Sequence, residues 1–122
     1  MLKTGMVALV AMTTITSAAM ANCRIIGFRF FVAQNDAVST TGISTGGSGC
    51  THRFRSFSTT QFTSGSIVSR PSNGTLSEIG ALAFRYVPKA GYKGTDRYTV
   101  RVCGKGDAGS GCSTITYNLT VE

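Results

Sequence analysis

Three consecutive stretches in the last third of the chain repeat their apolar residues at every second position, and that period restricts the chain to β-structure. Leu82, Phe84 and Tyr86 alternate with Ala83, Arg85 and Val87, and Pro88 ends the run. Tyr98, Val100 and Val102 alternate with Thr99, Arg101 and Cys103. Ile115, Tyr117, Leu119 and Val121 alternate with Thr114, Thr116, Asn118 and Thr120. Successive side chains of a strand point to opposite faces, so each stretch offers one face to a core and the other to water. No long stretch carries the three-to-four spacing of an amphipathic helix. Short strands between frequent turn signals favour two packed sheets, so the expected fold is all-β, a single antiparallel sandwich.

The upstream half is less regular. Ile26, Phe28, Phe30 and Val32 are expected on one face of a first strand, with Arg29 on the other. Gln34 to Gly49 reads as turns plus one weak strand, ending in a Gly-rich loop from Ser44. Thr51 to Thr63 is expected to hold a strand around Phe54 that continues toward Phe62, and Ser66 to Arg70 another, halted by Pro71. Asn73-Gly74 marks a tight hairpin, because a primed turn needs positive φ at both central residues. Lys89 to Asp96 and Gly104 to Gly111 are expected loops.

Residues 1–21 read as a cleavable export signal rather than structure. Lys3 precedes the apolar run Met6 to Met12, Thr13, Thr14, Thr16 and Ser17 interrupt it, and Ala19-Met20-Ala21 supplies a small-x-small cleavage pattern. The run is too short to span a bilayer, so no membrane span is expected after processing. Residues 22–122 then form one domain, located in the periplasm or outside the cell. All four cysteines lie in this exported part, an even count that suits an oxidising compartment. Cys103 and Cys112 both share the water-facing parity of their strands, so they can bond across a hairpin; Cys23–Cys50 follows by elimination. Treated as loop closure, the two links contribute roughly 2.5–3 and roughly 3.5 kcal/mol. Four cysteines allow three connectivities, and Cys23 left free or paired elsewhere is the alternative.

The exported part holds eleven Lys and Arg against five Asp and Glu, a net charge of +6. Arg85, Arg97 and Arg101 share outward parity on their strands, a candidate basic patch for a polyanion: acidic polysaccharide, lipid head groups or nucleic acid. Solubility alone also accounts for such a charge. Catalytic sets are missing. His52 is the only histidine, flanked by Arg53 and Arg55, and is expected as a surface or strand histidine. The five carboxylates share no strand face, and Gly104-Lys105-Gly106-Asp107 links two strands rather than opening a helix. Neither Cys-x-x-Cys nor paired histidines occur, so no metal and no cofactor are expected, and the chain is read as no enzyme.

Three segments carry a family resemblance. Pro71-Ser72-Asn73-Gly74-Thr75-Leu76, Phe84-Arg85-Tyr86-Val87-Pro88 and Gly91-Tyr92-Lys93-Gly94-Thr95-Asp96-Arg97-Tyr98 follow, in order, a P-x-x-G-x-L hairpin, a Y-x-P strand end and a G-[FY]-x-G-x-D-x-[FY] corner. Together these resemble the bacterial Ig-like/cadherin-like repeat domains over about the last 55 residues. The resemblance implies an immunoglobulin/cadherin-like β-sandwich of secreted or surface proteins, with adhesive or spacer roles and no catalytic one. The family's acidic calcium-type segment has no counterpart beyond Asn35-Asp36, and the domain stands alone, so neither calcium binding nor a tandem spacer role is expected. Tyr86, Pro88, Gly91, Gly94, Asp96 and Tyr98 are the matching positions and suit a structural corner: glycines in turns, a carboxylate accepting loop N–H groups, buried rings with reachable hydroxyls.

The expected function is a non-catalytic binding or structural module whose partner, a protein or an envelope polymer, is met through loops at one sandwich end or a free edge strand. The alternatives are the polyanion binder and a hydrolase inhibitor presenting the Lys105-bearing loop 104–111. A non-reducing digest of the exported protein is expected to release Cys103 linked to Cys112 and Cys23 linked to Cys50; any other pairing removes the parity reading.

Overall fold

A computed structural model of the chain describes residues 22–122, so the expected export signal lies outside the described residues. Eight strands and one short 3-10 turn follow in order: β1 (Asn22–Ile25), the 3-10 turn (Val32–Gln34), β2 (Ala37–Thr45), β3 (Cys50–Arg53), β4 (Gln61–Ser69), β5 (Gly74–Gly80), β6 (Ala83–Pro88), β7 (Gly94–Gly106) and β8 (Gly109–Val121). They form two stacked sheets, a five-stranded one ordered β1-β2-β8-β7-β4 and a three-stranded one ordered β3-β6-β5. Every pairing is antiparallel except β2 with β8. The all-β sandwich is thus the observed architecture.

The period-two positions make the core. Phe84, Tyr86, Tyr98, Val100, Val102, Ile115, Tyr117, Leu119 and Val121 point inward and are buried, while Arg101 and Thr120 between them are exposed. Burying a Val, Leu or Ile side chain in this way stabilises the fold by about 1.5–3 kcal/mol each. Strands β7 and β8 form one long hairpin in unbroken register from Gly94↔Val121 to Gly106↔Gly109. Within it Cys103 sits directly opposite Cys112, with a Cα–Cα distance of 4.0 Å, and the two are bonded on the outer face. Cys23–Cys50 joins β1 to β3 and so ties one sheet to the other.

A second tie is polar. Asp96 begins the inward-facing set of β7 and is 6 % exposed. Its carboxylate accepts the Tyr86 hydroxyl at 2.7 Å and the backbone N–H groups of Ser72, Asn73 and Arg97 at 3.1, 3.2 and 3.0 Å. One acid therefore joins β7, β6 and the crossing from β4 to β5. Tyr98 stacks on Tyr86 at 4.9 Å beside it, and Pro88 is buried at the end of β6. Gly91 and Gly94 both take positive φ around the turn between β6 and β7.

Several local expectations are corrected. The first strand stops at Ile25: after Gly27 the chain turns beneath the sandwich end, Ile26 is exposed, and Phe28 and Phe30 are held by ring contacts rather than by a strand pleat. The polar stretch contains β2, a nine-residue strand between β1 and β8, whose inward residues Thr40, Gly42 and Ser44 carry no apolar signal. Phe54 and Phe62 belong to no common strand, since β3 ends at Arg53 and the chain changes sheets before β4. Ser66 to Arg70 is the second half of β4.

Asn73-Gly74 is no hairpin turn. Strands β4 and β5 lie in different sheets, and neither residue has positive φ. Gly74 is needed for close approach: a Cβ there meets the Val87 carbonyl oxygen at 2.5 Å and the Tyr86 ring at 2.6 Å. The 104–111 loop also shrinks, because β7 and β8 stay paired through Gly106↔Gly109 and only Asp107-Ala108 turns. Gly111 lies against the backbone of Val32, whose carbonyl oxygen is 2.1 Å from where a Cβ belongs.

Asp96→Asn places amide hydrogens among four donors and is expected to cost about 3 kcal/mol. Tyr86→Phe leaves the backbone donors in place and is expected to cost about 1–2 kcal/mol. Urea unfolding of both variants checks the order; equal stability for Asp96→Asn and the parent removes the polar tie as a determinant of the fold.

Candidate functional site

The sandwich has two unlike ends. Asn22 opposes Thr45, and the Glu122 N–H donates to the Ser44 carbonyl, so residues 22 and 122 meet at one end. The opposite end gathers residues 26–36, the crossing 54–60, the first residues of β4 and the Asp107-Ala108 tip. There a cleft of about 590 Å³ opens, lined among others by Phe28, Phe30, Phe31, Phe57 and Phe62, with Arg29 at its rim.

The floor of this cleft is an extension of the core. Phe30 stacks on Phe62 at 5.8 Å and meets Phe54 edge-on at 6.0 Å; Phe54 in turn packs edge-on against Phe84, and Phe28 against Tyr117. Such edge and offset contacts add about 0.5–1.5 kcal/mol each beyond buried area, so the floor is rigid.

The walls are rigid too, although they expose large apolar rings. Phe31 is 57 % and Phe57 68 % exposed. Phe31 precedes the 3-10 turn, which Asn35 closes at φ 51° with its N–H on the Val32 carbonyl. Asp36 accepts the Phe31 N–H, the Ser113 hydroxyl donates to the Phe31 carbonyl, and the Asn35 side chain accepts the Cys112 N–H. The whole turn is thereby fastened to β8. Phe57 and Thr60 exchange two backbone hydrogen bonds around Ser58, which is held at φ 52°. The Thr59 hydroxyl donates to Asp107 at 2.9 Å, fastening this turn to the hairpin tip. A non-glycine residue in left-handed backbone costs about 1–2 kcal/mol and clusters where function requires it. Two aromatic rings held out into water by pinned turns are ready to cover a ligand without further ordering.

The residues singled out by sequence distribute differently. Arg97 and Arg101 project from the outer face of the five-stranded sheet. Arg85 projects from the three-stranded sheet on the opposite side, where its guanidinium donates to the Thr51 hydroxyl and the Ser48 carbonyl. The three do not form one patch, because parity gives in or out and not which sheet. Lys105 lies on β7 opposite Ser110 and is exposed, on paired strand rather than on a loop. The corner residues sit at the terminal end, away from the cleft. A second hollow, about 470 Å³, lies over Thr41, Asn73, Arg97 and Asn118.

His52 is a strand histidine, one of the two placements expected for it. It is no surface histidine: it is buried on the inner face of β3, stacked on Tyr117 at 3.9 Å, with Nε2 2.5 Å from the Tyr98 hydroxyl. Burial, which penalises the charged ring, lowers its pKa from 6.5 to about 4. Burial likewise pushes the Tyr98, Tyr117 and Tyr86 hydroxyls up, the last also through its hydrogen bond to Asp96. These groups therefore stay neutral across physiological pH and form an aromatic column, with no proton-transfer role at a surface. Among the described residues no group of three or more His, Cys, Asp and Glu side chains gathers as a metal site would require, and no helix is long and apolar enough to cross a membrane.

Sequence reasoning placed Phe28 and Phe30 in a strand and missed Phe31 and Phe57 altogether. Two consecutive phenylalanines, Phe30-Phe31, were the available signal: in a strand they face opposite ways, so one must be exposed. Comparison with protein families finds a match to a model described as a bacterial Ig domain over residues 28–120. Comparison with curated proteins finds no match.

His52 links stability to pH. Its folded pKa lies below the unfolded value, so the unfolded chain binds the proton first; the contribution of the neutral ring is complete above pH 6.5 and lost as pH falls toward 4. The expected loss over that window is about 3 kcal/mol, at 1.36 kcal/mol per unit. Urea midpoints measured from pH 7.5 to 4 check this, with His52→Gln expected to flatten the slope; an unchanged slope assigns the acid sensitivity elsewhere.

Proposed function

The chain belongs to the bacterial Ig domain family, and on that premise we propose that it is an exported, non-catalytic binding module whose partner is met at the phenylalanine-lined end of the sandwich. Bacterial Ig domains are structural or binding modules, and two disulfides suit the periplasm or the exterior. The observation that carries the reading is the pinned exposure of Phe31 and Phe57 above an aromatic floor. Folding alone gains little from holding these rings in water; a partner that covers them gains about 25 cal/mol for each Å² of apolar surface removed. Residues 22 and 122 meet at the far end, so this surface stands clear of both.

No feature of the geometry favours the two alternatives over this one. The candidate basic patch is divided between two faces, and the 104–111 segment offers a two-residue turn where an inhibitor needs a bait loop.

Replacing Phe57 by a photo-crosslinking phenylalanine analogue in cells tests the reading. Thr116, on the outer face of the five-stranded sheet, serves as the control position. Discrete adducts are expected from position 57 and not from 116. Adducts from 116 alone place the binding surface on the sheet face and overturn the proposal.

A further inference from the structure

Strand β4, Gln61–Ser69, lies at the margin of the five-stranded sheet: β7 pairs with one side, and no described strand pairs with the other. Exposed edges usually carry a charge or a proline that prevents further pairing. The nine residues QFTSGSIVS carry neither. Register shifts fall between Phe62 and Ser64 and between Ile67 and Ser69, leaving a regular stretch Ser64–Ile67 between them. Phe62, which lines the cleft, is two residues from that stretch, about 7 Å along a strand. A free ladder and an anchor pocket therefore adjoin.

The two faces of this edge differ in chemistry. On the outer face Ser64 and Ser66 stand beside Cys103 and Arg101, and Lys105 stands beside Gln61. On the inner face Phe62 and Ile67 are half-buried. Of the nearby acids, Asp107 at the hairpin tip already accepts the Thr59 hydroxyl, and Glu78 stands on β5 opposite Phe84. A strand laid against β4 thus meets cations on one side and apolar surface on the other.

Resting on the binding role proposed above, we infer that the partner is an extended, acidic-apolar peptide segment, which adds antiparallel or parallel to β4 as a sixth strand. Backbone hydrogen bonds to Ser64–Ile67 supply affinity, alternate apolar side chains cover Phe62 and Ile67, and an end residue enters the phenylalanine cleft. Acidic residues at the other alternate positions face Arg101 and Lys105, with Arg29 at the cleft rim. A second copy of this chain is the poorer occupant, because pairing β4 with itself brings two sets of Arg101 and Lys105 together, on residues 22–122 that carry a net charge of +6.

The test uses the disulfide-bonded protein and an eight-residue, end-blocked peptide that alternates Phe or Val with Glu. Its counterpart carries Lys in place of Glu. Saturating acidic peptide is expected to slow amide exchange at Ser64–Ile67 at least tenfold and to shift the Phe31 and Phe57 ring resonances. Ser66→Glu and Phe57→Ala, both at exposed positions, are each expected to weaken binding at least fivefold. Ring shifts without protection of β4 overturn strand addition and leave cleft binding standing. Equal binding of the Lys peptide overturns the acidic class. No response at either place, or dimerisation through β4 without peptide, overturns the inference, while the crosslinking at position 57 judges the binding surface separately.

Discussion

The buried carboxylate of Asp96 is the interaction on which the two sheets depend. A charge taken into a protein interior survives only when donors replace its water, and here four do, one hydroxyl and three backbone N–H groups. Those donors come from three separate parts of the chain, so the carboxylate fixes where β6, β7 and the β4–β5 crossing lie relative to one another. The aromatic column then follows. Tyr86 donates to Asp96 while stacked on Tyr98, and Tyr98 stacks on Tyr117 at 5.2 Å, with His52 closing the far side. Apolar packing supplies most of the favourable free energy, but it is non-directional. The polar tie supplies direction.

The two ends are closed by different interactions. Asp96, the Cys23–Cys50 link and the meeting of residues 22 and 122 hold the terminal end closed. The aromatic cluster at the opposite end is also ordered, by hydrogen bonds from Asp36, Ser113, Asn35 and Thr59, yet it leaves two rings in water. Of the five carboxylates, Asp36, Asp96 and Asp107 are occupied as internal acceptors.

Legibility along the chain tracked how directly a residue's role depended on its neighbours in sequence. In β6, β7 and β8 alternation alone gave the correct inward set and the Cys103–Cys112 pairing, because pleat and register are local properties of a hairpin. Strand β2 reads in the sequence only as a weak strand without bounds, because its inward positions Thr40, Gly42 and Ser44 are small and carry no apolar alternation. Gly74 and Gly111 were taken as turn and loop glycines; their partners, Val87 and Val32, lie far along the chain, and only tertiary approach explains them. The sequence leaves His52 as a surface or strand histidine; alternation on β3 sends its imidazole inward and the Arg53 side chain outward.

The sequence by itself determined the strand period, the inward residues of the last three strands, the bonded hairpin cysteines and the resemblance that the family match confirms. It could not assign strands to sheets. Parity distinguishes inside from outside, but Arg85 and Arg101 are both outside and on opposite faces of the molecule. The tertiary structure alone decided that β4 is an edge and that two distant turns converge on one cleft. Each of these is a contact between residues far apart in sequence, set by how the sheets stack rather than by any local preference of the chain.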